Sequence, residues 1–284
     1  MKIIDQSYEI CNTHGYDLEG IYKDIERAAR VSYKSEDKIT KDSAYKMVSR
    51  LIEMKHYGPL EFGTVYLTMP VERYEDLMNF KKYKNNKFSR AVMDDGYGYI
   101  TTNYRVIIEN GWKDDLNFLS DKTEHHIKRM TVKFVTNRAV THELVRHRSM
   151  SFMQESQRYV AYDKDKFGSE ITFIKPAWEQ TENEEILMRL TLSHIEDTYM
   201  KLRQLGIKPQ QARQILPNAT KTELYMCGFE NDWEHFFELR DKPTVDPQMY
   251  SLMHPFHEDY IATLNSYKDY DEETIKPTRE GQNA

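Results

Sequence analysis

The sequence predicts a mixed α+β fold, and three observations point to it. The runs 62–69, 130–136 and 222–229 alternate apolar and polar residues, the period of strands that cover one face. Between and around them lie stretches of helical spacing with recognisable starts and stops. Strands and helices do not follow each other in the strict rhythm that a doubly wound parallel sheet requires.

In chain order, residues 40–55 carry Ala44, Met47, Val48, Leu51 and Ile52 on one helical face, and the helix must end before Gly58-Pro59. Strand 62–69 follows. Residues 71–128 are charged and aromatic, with the basic run Lys81-Lys82-Tyr83-Lys84 and a Gly96-Tyr97-Gly98 turn; they read as an insertion with its own helix and strand. In 130–136, Met130, Val132 and Phe134 share one face and Thr131 and Lys133 the other. Residues 138–147 read as a helix with Val140, Leu144 and His147 aligned. The stretch 181–205 is the longest helix, opened by the capping pair Thr181 and Glu184 and stopped at Gly206. Pro209 opens a short helix that Pro217 closes. After strand 222–229, Asn231 or Asp232 caps a helix whose Trp233, Phe236 and Phe237 belong to a core. Asp246-Pro247 starts the last helix, and the tail after about 271 is polar and loose. No internal repeat is present, so the expectation is one domain over 1–284.

Composition narrows the function. The chain has 284 residues, 39% hydrophobic and 30% charged, enough for a sizeable core. A net charge of −6 argues against broad nucleic-acid or membrane binding, so any cationic ligand site must be local. Cys11 and Cys227 are the only cysteines and form no CxxC pair, which excludes a disulfide framework and a cysteine zinc site. The start lacks an apolar leader core and no 18-residue apolar run occurs, so a cytoplasmic location is expected.

The densest chemistry lies in Arg146-His147-Arg148, Ser151 and Gln154-Glu155-Ser156-Gln157-Arg158-Tyr159. Guanidinium forks grip phosphate with paired hydrogen bonds, which a lysine point charge does not. The cluster therefore suits a flat ligand that carries phosphate. A zinc-protease reading fails: in His142-Glu143-Leu144-Val145-Arg146-His147 the i+4 position is Arg146, and His147 lies roughly 140° further round a helix than His142. No metal is expected. There is no GxGxxG fingerprint and no P-loop, so a nucleotide or flavin must be held by side chains. Taken singly, Arg146 and Arg148 also read as surface ion-pair partners, and His56, Arg213 and Arg240 as helix-end residues. His125, His126, His254 and His257 read as surface or structural.

Spacing decides between these readings. Arg146-His147-Arg148, seven residues, Ser156, then Arg158-Tyr159 resembles the signature of the flavin-dependent thymidylate synthases. Ala28-Ala29-Arg30-Val31-Ser32, His56-Tyr57-Gly58-Pro59-Leu60-Glu61, Arg213-Gln214-Ile215-Leu216-Pro217 and His235-Phe236-Phe237-Glu238-Leu239-Arg240 resemble further blocks of that family, in its order. The resemblance implies a central twisted, mainly antiparallel sheet flanked by helices. It implies reductive methylation of dUMP to dTMP, with methylenetetrahydrofolate as carbon donor, FAD reduced by NADPH as hydride donor, and no protein cysteine nucleophile. It also implies a homotetramer with active sites at subunit interfaces.

Carried over residue by residue, the resemblance makes Arg240 catalytic, facing the uracil ring. It assigns FAD to Arg146, His147, Arg148, Gln154, His235, Asn231, His56, Glu61 and Gly58. It assigns dUMP to Glu143, Arg146, Gln154, Glu155, Ser156, Gln157, Arg158, Arg213 and Arg240, with backbone donors of 155–157 helping at the phosphate. Folate and NADPH take turns beside His56, Arg146 and His147. Glu143, Gly58, Asn231, Met153 and Leu60 depart from residues common in the family; the departures at Gly58 and Asn231 leave a nucleotide-binding relative with impaired chemistry as the alternative. The lysines at 81, 82 and 84 are expected to guide anionic folate or NADPH.

Overall fold

The computed structural model describes residues 1–164 and 168–274. In order, its main elements are β1 (Lys2–Ile4), β2 (Ser7–Cys11), α1 (Leu18–Val31), α2 (Ser43–Glu53), β3 (Thr64–Pro70), α3 (Tyr74–Lys84), β4 (Arg90–Asp94), β5 (Tyr97–Asn103) and α4 (Tyr104–Glu109). The second half adds β6 (Arg129–Asn137), α5 (Arg138–Leu144), β7 (Ser151–Gln154), β8 (Thr172–Ile174), α6 (Glu182–Gln204), α7 (Pro209–Ala212), β9 (Lys221–Phe229), α8 (Glu230–Arg240) and α9 (Pro247–Thr274). The last helix runs to Thr274; residues 275–284, most of the tail expected to be loose, lie outside the described residues.

The principal sheet is antiparallel, in the order β2-β6-β9-β7. Every residue of β9 after Lys221 is buried, because this strand is paired on both edges and covered on both faces. One face sets Val132, Phe134, Leu224 and Met226 against Trp233, Phe236 and Phe237 of α8 and Phe256 of α9. The other sets Tyr225 and Cys227 against Ala28 and Val31 of α1 and against Phe62. Burial of this size is the dominant stabilising term. The alternation expected at 130–136 is present: Val132 and Phe134 are fully buried.

A second antiparallel sheet, β3-β5-β4, is built mostly from 71–128. That segment does contain its own helix and strands, but it borrows β3 as an edge and shares a core with α1. Ile21 and Ile25 of α1 pack with Leu60, Leu67, Phe80 and Ile100. A parallel pair, β1-β8, packs under α6 through Phe173, Leu192 and Tyr199. Thr181 caps α6 as expected, its hydroxyl accepting from Glu184 N–H while the Glu184 carboxylate accepts from Thr181 N–H at 2.8 Å. The helix expected at 138–147 stops at Leu144.

Helices α1 and α2 end in the same way. Lys34 (φ 48°) and Lys55 (φ 55°) take the left-handed conformation. Ser35 N–H then reaches Arg30 O at 3.2 Å, and His56 N–H reaches Leu51 O at 2.9 Å, the 6→1 bond of a Schellman ending. Arg30 braces the pair: its guanidinium binds Glu26 within α1 and donates to Ser35 O at 3.0 Å, and Glu26 accepts from Ser43 Oγ of α2 at 2.9 Å. Glu26 and Arg30 are buried beside the apolar stripe of α1, in which Ile21, Ile25, Ala28 and Ala29 fall at helical spacing, a signal the sequence carried. The two endings throw residues 32–38 and 56–59 toward the same space.

The turn that follows, Gly58–Phe62, is pressed onto α1. A Cβ at Gly63 would lie 2.7 Å from Ile25 Cδ1 and 2.8 Å from Ile21 Cγ2. Gly63→Ala is expected to cost about 1–3 kcal/mol through this overpacking. Urea denaturation measures it, and an unchanged midpoint would mean that the turn is not held against α1.

Candidate functional site

Helix α5 is the spine of the site. Asn137 Oδ1 accepts from Val140 N–H at 2.9 Å and fixes its start directly on the end of β6. With seven residues it is about 10 Å long. Arg138 stands at its first turn, Thr141 at its middle and Glu143 near its end, and each meets a residue singled out by sequence or a neighbour of one.

At the far end, Arg240 closes α8 onto α5. Its Nη1 donates to Glu143 Oε2 at 2.5 Å, its Nη2 to Glu143 O at 3.3 Å, and its Nε to His147 Nε2 at 3.0 Å. Because His147 Nε2 accepts, its ring proton sits on Nδ1 and the imidazole is neutral. Burial, then the charges of Arg240, His235 and Arg146, push the His147 pKa down to about 4. The ring packs edge-on to Phe236 at 4.8 Å. Three N–H groups of Arg240 are thus held by protein, leaving one on each terminal nitrogen for a ligand.

In the middle, Gln154 Nε2 donates to Thr141 Oγ1 at 2.9 Å and to Thr222 Oγ1 at 3.3 Å. At the near end, Arg138 makes only long bonds, to Glu155 O at 3.4 Å and Thr222 Oγ1 at 3.5 Å. Burial first, with the nearby positive charge of Arg213 adding to it, lowers the Arg138 pKa. Arg138 and Arg213 thus lie near enough for their charges to be felt, with Glu155 also close to Arg138.

Glu155 is buried, with its carboxylate 3.0 Å from Lys221 Nζ; burial raises its pKa although Lys221 opposes the shift. Lys221 also binds Glu223, which Lys34 and Lys133 reach at 2.8 Å and 2.9 Å. Despite burial, these lysines hold the Glu223 carboxyl well below the usual carboxylate range. Backbone donors of the same turn are engaged: Glu155 N–H bonds Glu223 O at 2.8 Å and Ser156 N–H bonds Ser32 O at 3.2 Å.

Ser156 faces a cavity of about 670 Å³ between the ends of α1 and α2, which His56, Gly58, Ser32 and Tyr159 also line. Neither thiol is placed to attack a ligand there. Cys227 is fully buried between β9 and α1, and burial pushes the Cys11 thiol up to about 11, far from a thiolate at neutral pH. Among the described residues, no three His, Cys, Asp or Glu side chains converge as a metal site would require.

Residues 120–259 match the family model described as thymidylate synthase complementing protein, Thy1. Over those residues the chain is similar to the Thy1 family. Among curated relatives, it is 35% identical over 104 residues to the flavin-dependent thymidylate synthase of Geobacter sulfurreducens, covering 37% of this chain and 44% of that protein. It is 29% identical over 174 residues to the enzyme of the same name from Pyrococcus furiosus, covering 58% and 69%. With the Mycobacterium avium enzyme it shares 32% over 127 residues, covering 41% and 50%. The chain thus spans about half the length of most of these relatives. A UMP/dUMP methylase of Streptomyces cacaoi, solved with 5-Br dUMP, overlays 93% of each chain at 17% identity with a TM-score of 0.44, too loose to carry an argument.

The Thy1 match contains the whole α5 spine, the cationic turn and Arg240, but not His56, Gly58 or Glu61. Arg146 and Arg148 are exposed on the turn after α5, beside half-buried His147. Arg158 is exposed and lies 5.2 Å from the Tyr159 ring; Gln157 is half-buried and Arg213 exposed. Glu61 points elsewhere: its carboxylate binds Arg105 at 2.6 Å, from the 71–128 segment. His235, exposed on α8, pairs with Glu238 at 3.3 Å, and Asn231 is exposed on the first turn of that helix. Of the three lysines of 71–128, Lys82 is tied to Asp115 at 2.6 Å and stacked over Trp112, so only Lys81 and Lys84 face solvent. Sequence reasoning missed Arg138. Its signal was available: a guanidinium placed where a strand runs straight into a helix.

His147 gives stability a pH dependence. An unfolded imidazole takes up a proton near 6.5, whereas this one resists until about 4. Between those values the unfolded state binds more protons, so stability falls as pH falls. His147→Gln is expected to lose less thermal stability than the parent between about pH 7.5 and 5. Equal losses in a melting series would contradict a neutral, buried His147.

Proposed function

We propose that this chain is a flavin-dependent thymidylate synthase that converts dUMP to dTMP. The observation that carries the reading is Arg240 locked against Glu143 and His147 at one end of α5, with Arg138 and Arg213 gathered at the other. A nucleotide monophosphate has a polar ring at one end and a dianion at the other, and this spine offers a matching donor to each.

The donor set also suits a flavin. Arg146 and Arg148 present exposed guanidinium forks from one short turn, the geometry a diphosphate needs, and His56 and Gly58 border a cavity with an apolar floor. Bound FAD, reduced by NADPH, supplies the hydride in this reading, and methylenetetrahydrofolate supplies the carbon. His235 and Asn231, on the exposed side of α8, complete the flavin contacts, while Glu61 is held by Arg105 instead.

Each protein group then has a defined task. Ser156, Arg158, Arg213 and Arg138 neutralise the nucleotide phosphate. Gln154, oriented by Thr141 and Thr222, keeps its amide oxygen free to accept from ribose or base. The two remaining N–H groups of Arg240 face the uracil and favour loss of its proton from the ring nitrogen between the carbonyls. A fixed cation in a site that excludes water stabilises that anion most effectively. The electron-rich ring becomes the nucleophile, so no protein thiolate is needed.

The fold of the family, a single domain over 1–284, accounts for α1 packing into both main cores. Exposed Ile186, Leu187 and Leu190 on α6 support burial against other copies, as a homotetramer with shared sites would provide. A cytoplasmic location fits the substrates, and no helix among the described residues is long and apolar enough to cross a membrane.

The direct test is purification followed by a flavin spectrum and an assay of NADPH-dependent dTMP formation with dUMP and methylenetetrahydrofolate. Bound flavin with dTMP formed supports the reading; dUMP binding without either identifies a relative with impaired chemistry. Glu143→Ala is expected to lower kcat by about tenfold or more, by removing the carboxylate that holds Arg240 Nη1 while the backbone bond to Nη2 remains, whereas Glu143→Gln retains more activity through its amide oxygen. Identical kinetics for parent and both variants would remove Glu143 from the positioning of Arg240.

A further inference from the structure

Two histidines that the nucleotide and flavin contacts leave unused converge on the residue next to Arg240. His254 and His257 lie on α9, and each turns its Nδ1 toward the carboxylate of Asp241. They take opposite oxygens: His254 Nδ1 lies 3.0 Å from Oδ1, and His257 Nδ1 lies 2.7 Å from Oδ2. A carboxylate only accepts, so both imidazoles donate and both oxygens are engaged. The His257 ring also lies flat on Phe237, with centroids 4.1 Å apart and planes 12° apart. Phe237 stands four residues before Asp241 on the same helix face, so His257 spans the last turn of α8.

That turn has few apolar anchors. Phe237 is the last buried side chain of α8; Glu238 and Leu239 are exposed, and so are Lys242, Pro243 and Thr244 beyond it. Between these exposed residues, Arg240 is tied to Glu143 and His147, and Asp241 is tied to α9. Asp241 caps the helix, with φ −97° and ψ 67°, where the chain leaves it. A carboxylate there meets the negative pole of the helix dipole, an unfavourable place unless donors offset it. The two imidazoles are those donors. Their own positions are firm, because Met253 and Phe256, beside them on α9, are fully buried.

We propose that Asp241, clamped by His254 and His257, is a positioning residue that holds the end of α8 so that Arg240 meets the pyrimidine at a fixed place. This role rests on the proposed activity, in which Arg240 favours the ionised ring. Glu143 and His147 orient the guanidinium from one side, and the clamp fixes the backbone from which it extends. With the clamp released, the last turn frays and the two open N–H groups of Arg240 lose their common target. A displacement of about 1 Å is enough to weaken a preorganised donor in the transition state.

The test uses the full-length protein with three variants: Asp241→Ala, Asp241→Asn and His257→Phe. The last keeps a ring against Phe237 and removes only the donor. Steady-state kcat and KM for dUMP are read beside calorimetric affinities for dUMP and 5-fluoro-dUMP, whose ring nitrogen gives up its proton more readily. A well-placed Arg240 favours the fluorinated nucleotide, because its guanidinium binds the ionised ring. Asp241→Ala is expected to lower kcat by about tenfold or more and to lose that preference, with KM for dUMP within about threefold of the parent. His257→Phe moves in the same direction, and Asp241→Asn recovers most of the loss through its amide oxygen. Should Asp241→Ala fail to fold, His257→Phe carries the same comparison. A folded variant that melts lower yet keeps the parent's kcat and preference has lost only structural support, and the proposal falls. A parent that forms no dTMP defeats the proposed activity and the clamp with it, whereas an active parent with unaffected variants defeats only the clamp.

Discussion

The arrangement depends on one constraint: β9 is enclosed. Its residues after Lys221 are buried, β6 and β7 saturate its edges, and α1 covers one face while α8 and α9 cover the other. A strand in that position cannot shift by one residue without moving every side chain to the opposite face. The register therefore fixes β7 and its cationic turn on one side, and fixes α5, which follows β6, on the other. Arg240 reaches the site because α8 leaves the end of β9 with no intervening loop. The donors for ring and phosphate stand on rigid elements, which a site of preorganised charge requires.

Charge in the site is more selective than its composition suggests. Three consecutive basic residues would read as a uniform positive strip. In fact His147 is neutral and serves as an acceptor, so it orients Arg240 instead of adding to the charge. Glu143, a carboxylate in a site for an anionic ligand, faces the guanidinium at the ring end of α5, away from Arg138 and Arg213. This separation answers the repulsion that a carboxylate beside a phosphate would cause. Net positive charge is confined to the phosphate end and to the exposed turn at Arg146 and Arg148.

Much of this was legible in the sequence because its causes are local. Alternation marked β3 and β6, the capping pair marked α6, and aromatic spacing marked the core face of α8; β9, expected to cover one face, is buried on both. The spacing of Arg146, His147, Arg148 and Ser156 could be read directly because those residues share one turn and one short strand. What escaped depends on partners far along the chain. His147 is neutral because it is buried and because Arg240, 93 positions away, sits against it, and Glu61 is drawn off by Arg105, 44 positions away. Lys82 looks like a solvated charge until Asp115 is placed beneath it. Strands of three or four residues, β1, β7 and β8, carry too little pattern to announce themselves and exist through long-range pairing.

The central claim is that a fixed guanidinium, and no sulfur nucleophile, activates the pyrimidine. It is tested most directly by comparing dTMP formation in a Cys11→Ala/Cys227→Ala protein with that in Arg240→Ala, each shown to be folded by circular dichroism. The account predicts that the protein without thiols continues to turn over and that loss of the guanidinium stops turnover. A folded, inactive thiol-free protein beside an active Arg240→Ala protein would contradict it.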